Sequence, residues 1–354
     1  MPSIPGCEPA LSMRQALIVG PSRFEVVTAP VPRLQSDGEI LVRTAACGIC
    51  SGDLMPWYLE KKVGSVLGHE VVGWAVEVGA DVSHVRLGDL VFLHHHAPCF
   101  ACPECTRGAF VHCATWRRSK LDPGGMAEWI RVPAENVGGD AFTVNDLTAE
   151  QAVFIEPLAC CVKALRRLGG GFALPGASGA VVGCGVMGVL NLAVARSHGV
   201  EKLSAVEPDS NRRRLALAQG ADRALTPEEA ASALAGACDF VIIGPGQPEV
   251  ICQSLAYVRP GGAALLFTPT PFGVTTALDL GDLYFREISL VPSYSCCPDD
   301  TRQAHQMLRQ GKVRVEGLVT DRFALDDIQQ AYDAARRGGP TLKVLVTFPR
   351  ETAP

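Results

Sequence analysis

The sequence predicts an α/β protein built in two parts, a strand-rich irregular barrel and a doubly wound parallel sheet. Up to about Gly139, short runs rich in β-branched residues (ALIVG, EILVRTAACG, EVVGWAVEVGA, DLVFLHH) are bounded by Gly, Pro or Asp. That is the pattern of short strands joined by turns. Beyond it, apolar strands alternate with amphipathic helices around a glycine turn, as in βαβ units of a parallel sheet. The length, 354 residues, exceeds one ordinary core and suits two domains.

Composition narrows the function classes. The hydrophobic fraction is 47% and the charged fraction 19%, a globular balance without the bias of disorder. The net charge of −5 comes with no long basic run, so neither nucleic acid nor an anionic membrane is an expected partner. The opening stretch MPSIPGCEPALSMRQALIV lacks a basic region followed by an apolar one, and no apolar run reaches membrane-span length. The expectation is a cytoplasmic protein. In a reducing compartment, clustered cysteines among the fourteen point to metal or catalysis sooner than to disulfides.

The stretch CSGDLMPWYLEKKVGSVLGHE opens with Cys50 and closes with His69 and Glu70. Thiol, imidazole and carboxylate are what Zn²⁺ accepts, and a catalytic zinc needs only three protein ligands. Further on, CFACPECTRGAFVHC spaces Cys99, Cys102, Cys105 and Cys113 as C-x2-C-x2-C-x7-C. Four thiolates in so short a loop can close a tetrahedral structural zinc site, and the spacing differs from the ferredoxin patterns of iron–sulfur proteins. His94, His95 and His96 end an apolar run, where alternate residues face opposite ways. At most two of them could converge, and turn histidines are the simpler reading.

After a helical stretch around Ala159–Leu168, GAVVGCGVMGVLNLAVARSHG reads as buried strand, glycine turn and helix. Gly183, Gly185 and Gly188 match G-x-G-x-x-G in the context that makes it a dinucleotide fingerprint. Gly183 serves the tight turn, Gly185 lets the backbone approach a pyrophosphate, and Gly188 lets helix and strand pack closely. The helix opens at Val186 and Met187, so its N-terminus faces the phosphates. Glu207 ends the next strand and suits the two ribose hydroxyls of NAD, while repelling a 2′-phosphate. Arg212, in the run Arg212–Arg213–Arg214, is the counter-argument, since one arginine could pair with that phosphate. On balance NAD is expected over NADP.

These residues carry a family likeness over nearly the whole chain. The stretches CGICSGD, GHEVVGWAVEVGADVSHVRLGDLV, the four-cysteine lobe, GGMAEWIRVPAENV, FIEPLACCVKAL, VVGCGVMG and the terminal LKVLV resemble the zinc-dependent medium-chain dehydrogenases/reductases, nearest the polyol, sugar and threonine dehydrogenase branch. The resemblance implies a GroES-like catalytic domain made from residues 1–157 and 297–354, with a Rossmann domain, 158–296, inserted between them. It implies two zinc ions per chain, one catalytic and one structural. The catalytic zinc would use Cys50 in place of Cys47, then His69, with Glu70 or Glu156 of IEPLA as third ligand. Asp53 would orient the histidine ligand, as metal-bound imidazoles require.

Two departures matter. Relatives usually carry Ser or Thr two residues after the zinc cysteine, the hydroxyl that starts the proton relay, and often a His five residues after it. This chain has Gly52 and Met55, with a serine displaced to Ser51. Either Ser51 reaches in from a shifted backbone, or Glu156 or Glu70 handles the proton. The expected activity is hydride transfer between a secondary alcohol, polyol or sugar-like, and NAD, by a homodimer or homotetramer. The alternatives are a primary-alcohol or aldehyde dehydrogenase, or an NAD-binding sensor without turnover.

Overall fold

The computed structural model describes residues 11–169 and 176–349. The chain divides into two compact units: Met1–Pro157 with Cys297–Arg309 and Val315–Pro354, and Leu158–Cys296 with Gln310–Arg314. Residues 310–314 thus pack with the second unit, although they follow a helix that belongs to the first.

In the first unit the strand Ile40–Gly48 is buried along almost its whole length, because both of its edges are paired and both of its faces are covered. Its antiparallel partners are Glu70–Val78, Trp129–Val132 and the terminal strand Lys343–Thr347. Val319–Ala324 extends the sheet on one side, and Leu90–Leu93 with Ala141–Thr143 on the other. The registers put Gly48 opposite both Glu70 and Leu345, so residues far apart in sequence meet at the end of this strand. Helix Ile328–Arg337 lays its apolar face on the same core, with Tyr332 stacked on Phe24 at 3.8 Å.

The second unit is a six-stranded parallel sheet, in the order Arg223–Leu225, Lys202–Val206, Ser178–Val182, Cys238–Ile243, Val258–Leu266, Ser289–Pro292. Numbered along the chain this is 3-2-1-4-5-6, the doubly wound dinucleotide-binding order. Cys238–Ile243 and Val258–Leu266 belong to the strand–helix alternation that the sequence predicts after the glycine turn. The order reverses between Ser178–Val182 and Cys238–Ile243, and ligands of such sheets bind beyond the carboxyl ends of the strands at that point. The glycine turn follows directly at Gly183. Among the described residues no helix is long and apolar enough to cross a membrane.

Candidate active site

The first unit brings ligand atoms of Cys50, His69 and Glu70 within 4.8 Å of one another. Cys50 caps the short 3-10 turn Ser51–Leu54, and its Sγ accepts from the Gly52 N–H at 3.4 Å. Asp53, on the same turn, is 1% exposed, and its Oδ2 lies 3.4 Å from His69 Nδ1 without hydrogen-bond geometry. Burial raises the Asp53 pKa and also that of the Cys50 thiol, against the pull of His69. Burial disfavours the His69 imidazolium, yet Asp53 and Cys50 outweigh it and lift its pKa well above the ordinary value. Such a cluster of mutually dependent, desolvated donors is what a divalent cation stabilises. Cys47 stands apart: it is fully buried, with its thiol pushed up by burial, and is outside the cluster.

Glu70 has a partner that no local motif announced. Lys343 Nζ donates to both Glu70 oxygens, at 2.8 and 2.6 Å, and to the Ile49 carbonyl at 3.3 Å, all within the core. Burial disfavours the ammonium, but Glu70 more than offsets it and raises the Lys343 pKa. Gly48 makes the room: a Cβ there would lie 2.1 Å from Glu70 Oε2. The only hint in the sequence was a lysine inside the otherwise apolar strand TLKVLVTF. Glu156, 5% exposed in the first turn of helix Ile155–Gly169, lies outside the Cys50–His69–Glu70 cluster; its carboxylate falls within 4.8 Å of a His94 ring nitrogen instead. Its charge nonetheless contributes to raising His69 and Lys343. Ser51 is exposed, and a Cβ on Gly52 would sit 3.6 Å from the Cys50 sulfur.

The four lobe cysteines also form one cluster, with Cys102 and Cys105 sulfurs 3.5 Å apart and Cys99 and Cys113 sulfurs 3.6 Å apart. Burial opposes ionisation of Cys113, but N–H donors from Cys99 and Trp116 prevail and bring it down to about 6. Cys105, where burial dominates, goes up to about 12. Backbone donors aimed at sulfur mark a place prepared for thiolate charge. Trp116 and Val111 pack with Cys105 and Cys113 in a small core, with Cys102 and Phe110 against it, while Cys99 is exposed.

The three consecutive histidines are more than turn residues. His94 is fully buried, with Nδ1 2.7 Å from Asp140 Oδ2, while Thr301 donates to the other Asp140 oxygen at 2.7 Å. His96 packs tilted 4.0 Å from Trp116, with Nδ1 3.0 Å from the Ser119 carbonyl. His95 lies between: its ring is 4.0 Å from His96 and 4.9 Å from His69. Burial and the neighbouring imidazoles push its pKa well below the ordinary value.

In the second unit Gly183 takes φ +83°, and a Cβ on Gly188 would lie 1.9 Å from the Gly183 carbonyl oxygen, so strand and helix touch backbone to backbone. Gly185 caps helix Val186–Ser197, which Val186 and Met187 open; its Cβ position is open space. That open space is the approach a pyrophosphate needs. Glu207 is buried, and its carboxylate accepts from Cys184 N–H at 2.7 Å and Asp209 N–H at 3.0 Å. Arg213 donates to the carbonyls of Glu207 and Pro208, and the Arg212 N–H is capped by Asp209.

A barrel-like unit with a thiol–imidazole–carboxylate cluster and a doubly wound unit with a glycine turn, carried on one chain, define the zinc-type alcohol dehydrogenases. Residues 36–139 match the family described as "Alcohol dehydrogenase GroES-like domain", and residues 186–310 match "Zinc-binding dehydrogenase". The chain belongs to the zinc-dependent medium-chain dehydrogenase/reductase family. It is 29% identical to an L-threonine 3-dehydrogenase of Bacillus velezensis over 87% of this chain and 91% of that protein. It is 27% identical to D-arabinitol dehydrogenase 1 of Uromyces fabae, over 88% and 91% of the two chains. A structure from Sinorhizobium meliloti 1021, described as a candidate zinc-binding dehydrogenase bound to NADP, matches with a TM-score of 0.85 and 26% identity, over 95% of this chain and 99% of that one.

Two outcomes follow from this geometry. Lys343→Met leaves the Glu70 carboxylate buried without its counter-charge and should cost about 3–5 kcal/mol in urea unfolding. The folded Lys343 pKa is raised, so the pair's contribution is complete below the unfolded value of about 10.4 and is lost only as pH rises beyond it. The variant's deficit should therefore be constant from pH 6 to 9; a deficit below about 1 kcal/mol would contradict the pairing. Separately, Cys105→Ser should lower both Tm and zinc content by atomic absorption, since structural metal binding is folding free energy. Unchanged zinc content would remove the lobe as a metal site.

Proposed function

We propose that the protein is a zinc-dependent, NAD-linked dehydrogenase interconverting a secondary alcohol of polyol or sugar type with its ketone, and that it carries a catalytic and a structural zinc. The observation that carries this reading is the meeting of Cys50, His69 and Glu70 in the first unit of a chain whose second unit holds a dinucleotide turn. Thiol, imidazole and carboxylate suit an open, catalytic zinc, and four thiols suit a closed one. When bound, the zinc supplies Lewis acidity to the alcohol oxygen and the nicotinamide accepts the hydride. The relatives' names, threonine and arabinitol dehydrogenases, agree with a secondary carbinol flanked by polar groups.

Cys50 and His69 would hold the catalytic metal with one carboxylate. Proximity alone selects Glu70, but both of its oxygens already accept from Lys343, which weakens it as a donor. We therefore assign Glu156 as the resident third ligand, with Glu70 as the carboxylate that can replace it. Asp53 steers the His69 ring. Ser51 faces solvent, so the proton released on oxidation passes to a Glu156 or Glu70 carboxylate oxygen in preference to a hydroxyl. The donors around Glu207 occupy only part of a carboxylate's capacity, which leaves lone pairs for ribose hydroxyls. Arg213 is already engaged by backbone carbonyls, which supports NAD over NADP.

A homodimer or homotetramer fits the apolar surface of the second unit, where Phe272, Leu280, Tyr284 and Phe285 are exposed. A cytoplasmic setting fits the reduced thiols of Cys50 and of the lobe cysteines Cys99, Cys102, Cys105 and Cys113. The test of the reaction is NAD reduction by zinc-replete protein across polyols, inositols, aliphatic and aromatic alcohols and threonine. Turnover confined to secondary alcohols is expected, and no turnover on any member would overturn it.

Glu207→Ser should weaken NAD binding by about 1–3 kcal/mol through lost hydrogen bonds, while improving NADP. A wild-type preference for NADP in competitive binding would reverse the assignment. In single-turnover hydride transfer, corrected for metal content, Ser51→Ala should be nearly silent. Glu156→Gln should be slowed roughly 10²-fold. An inert Glu156→Gln beside a crippled Ser51→Ala would show that the hydroxyl is the relay.

A further inference from the structure

Tyr332 carries a hydroxyl that the packing around its ring does not explain. The ring is fixed by its stack on Phe24 at 3.8 Å, and Gln329 of the same helix accepts from the Phe24 N–H at 2.9 Å. Stacking and core burial ask only for a flat apolar ring, which phenylalanine would supply as well. Yet the residue is a tyrosine, fully buried, and its hydroxyl makes no hydrogen bond among the described residues. Both oxygens of Asp53 are in the same condition, closed to solvent and without a hydrogen-bond partner. The two residues belong to one region of the first unit, since helix Ile328–Arg337 packs against the Ser51–Leu54 turn that carries Asp53. Burial, then the Asp53 charge, then Cys47, Cys50 and Glu70 push the Tyr332 pKa well above its ordinary value. The phenol therefore stays protonated, a donor in the neighbourhood of a carboxylate. Buried polar atoms left without partners are costly, and most are satisfied by protein or by an enclosed water.

We propose that Tyr332 is a positioning residue of the catalytic metal site: its hydroxyl donates through one enclosed water to Asp53, and so holds that carboxylate ready to accept from His69 Nδ1. This rests on the reading of Cys50 and His69 as zinc ligands. Tyr332 acts only through Asp53, whose Oδ2 lies 3.4 Å from His69 Nδ1. A water suits the bridge because it accepts from the phenol while donating to the carboxylate, and it needs several polar partners such as these oxygens supply. With the Nδ1 proton committed to Asp53, His69 keeps one tautomer and offers Nε2 to the metal. Loss of the group behind a metal-binding imidazole costs roughly 10- to 100-fold in metal affinity.

The probe is zinc itself, with its affinity for the full-length protein read by competition against a chromophoric chelator. Tyr332→Phe removes one oxygen and keeps the ring on Phe24. It should raise the dissociation constant of the catalytic zinc about 10-fold or more, with the lobe zinc retained. Protein carrying cobalt(II) at the catalytic site and zinc in the lobe should show shifted visible bands in the variant, since these report ligand orientation. In an Asp53→Asn background, Tyr332→Phe should add less than about 2-fold, because the two groups act as one unit. A full 10-fold further loss in that background overturns the proposal, as it would give the hydroxyl a route that bypasses Asp53. A lower Tm with zinc affinity and cobalt spectrum unchanged also overturns it, making the hydroxyl a support of the fold alone. Two zinc ions in the wild type, with no change of either readout in Tyr332→Phe, sinks this inference and leaves the metal reading standing. A wild type that takes up only the lobe zinc overturns both.

Discussion

The buried pair of Lys343 and Glu70 is the constraint around which the first unit is arranged. Two charges removed from water are tolerable only with close geometry and further hydrogen bonds. Lys343 meets this by donating to both Glu70 oxygens and to the Ile49 carbonyl. The arrangement requires the terminal strand to pair with Ile40–Gly48 in one register, and Glu70–Val78 to pair on the other edge in another. It also requires glycine at position 48, since any side chain there would strike the Glu70 carboxylate. The end of the chain is thereby tied to the start of the metal cluster, because His69 is the residue before Glu70. A slip of one residue in either strand would turn the charged side chain to the opposite face.

The four-cysteine lobe has a second consequence through Trp116. Its indole lies in the small core with Cys105 and Cys113, and its ring packs tilted against His96. His96 packs tilted against His95, and His95 against His69. A lobe that does no chemistry is thus linked by three ring contacts to the cluster that would. Ordering the lobe therefore orders the rings packed against His69.

What was legible in the sequence is what acts locally. The lobe could be read because its four thiols fall within one short loop, and the glycine turn because its three positions serve backbone geometry over six residues. The parallel sheet followed from the alternation of strand and helix. Lys343 could not be paired with Glu70, because 273 residues separate them and only the sheet register joins them. Nor could alternation along a strand sort the three histidines, since they lie past the end of Leu90–Leu93, where a two-residue period no longer applies. Asp140 and Thr301, which anchor His94, come from a helix end and a segment 161 residues later.

In the second unit a buried carboxylate is fixed in place by the backbone around it. Glu207 is buried and held by two backbone N–H groups, one from the glycine turn at Cys184 and one from the head of the following helix at Asp209. Both donors stabilise the charged form, and both fix its position, so a ligand meets an ordered negative charge. Ribose hydroxyls can approach such a charge as donors; a 2′-phosphate, which is acceptor-only when ionised, cannot. Arg213 donates from Nη1 to the carbonyls of Glu207 and Pro208, so it braces the carboxylate's own backbone. On the NAD reading proposed above, accepting a 2′-phosphate requires removing the Glu207 charge first, since a cation added nearby would still face a fixed anion at the end of the strand.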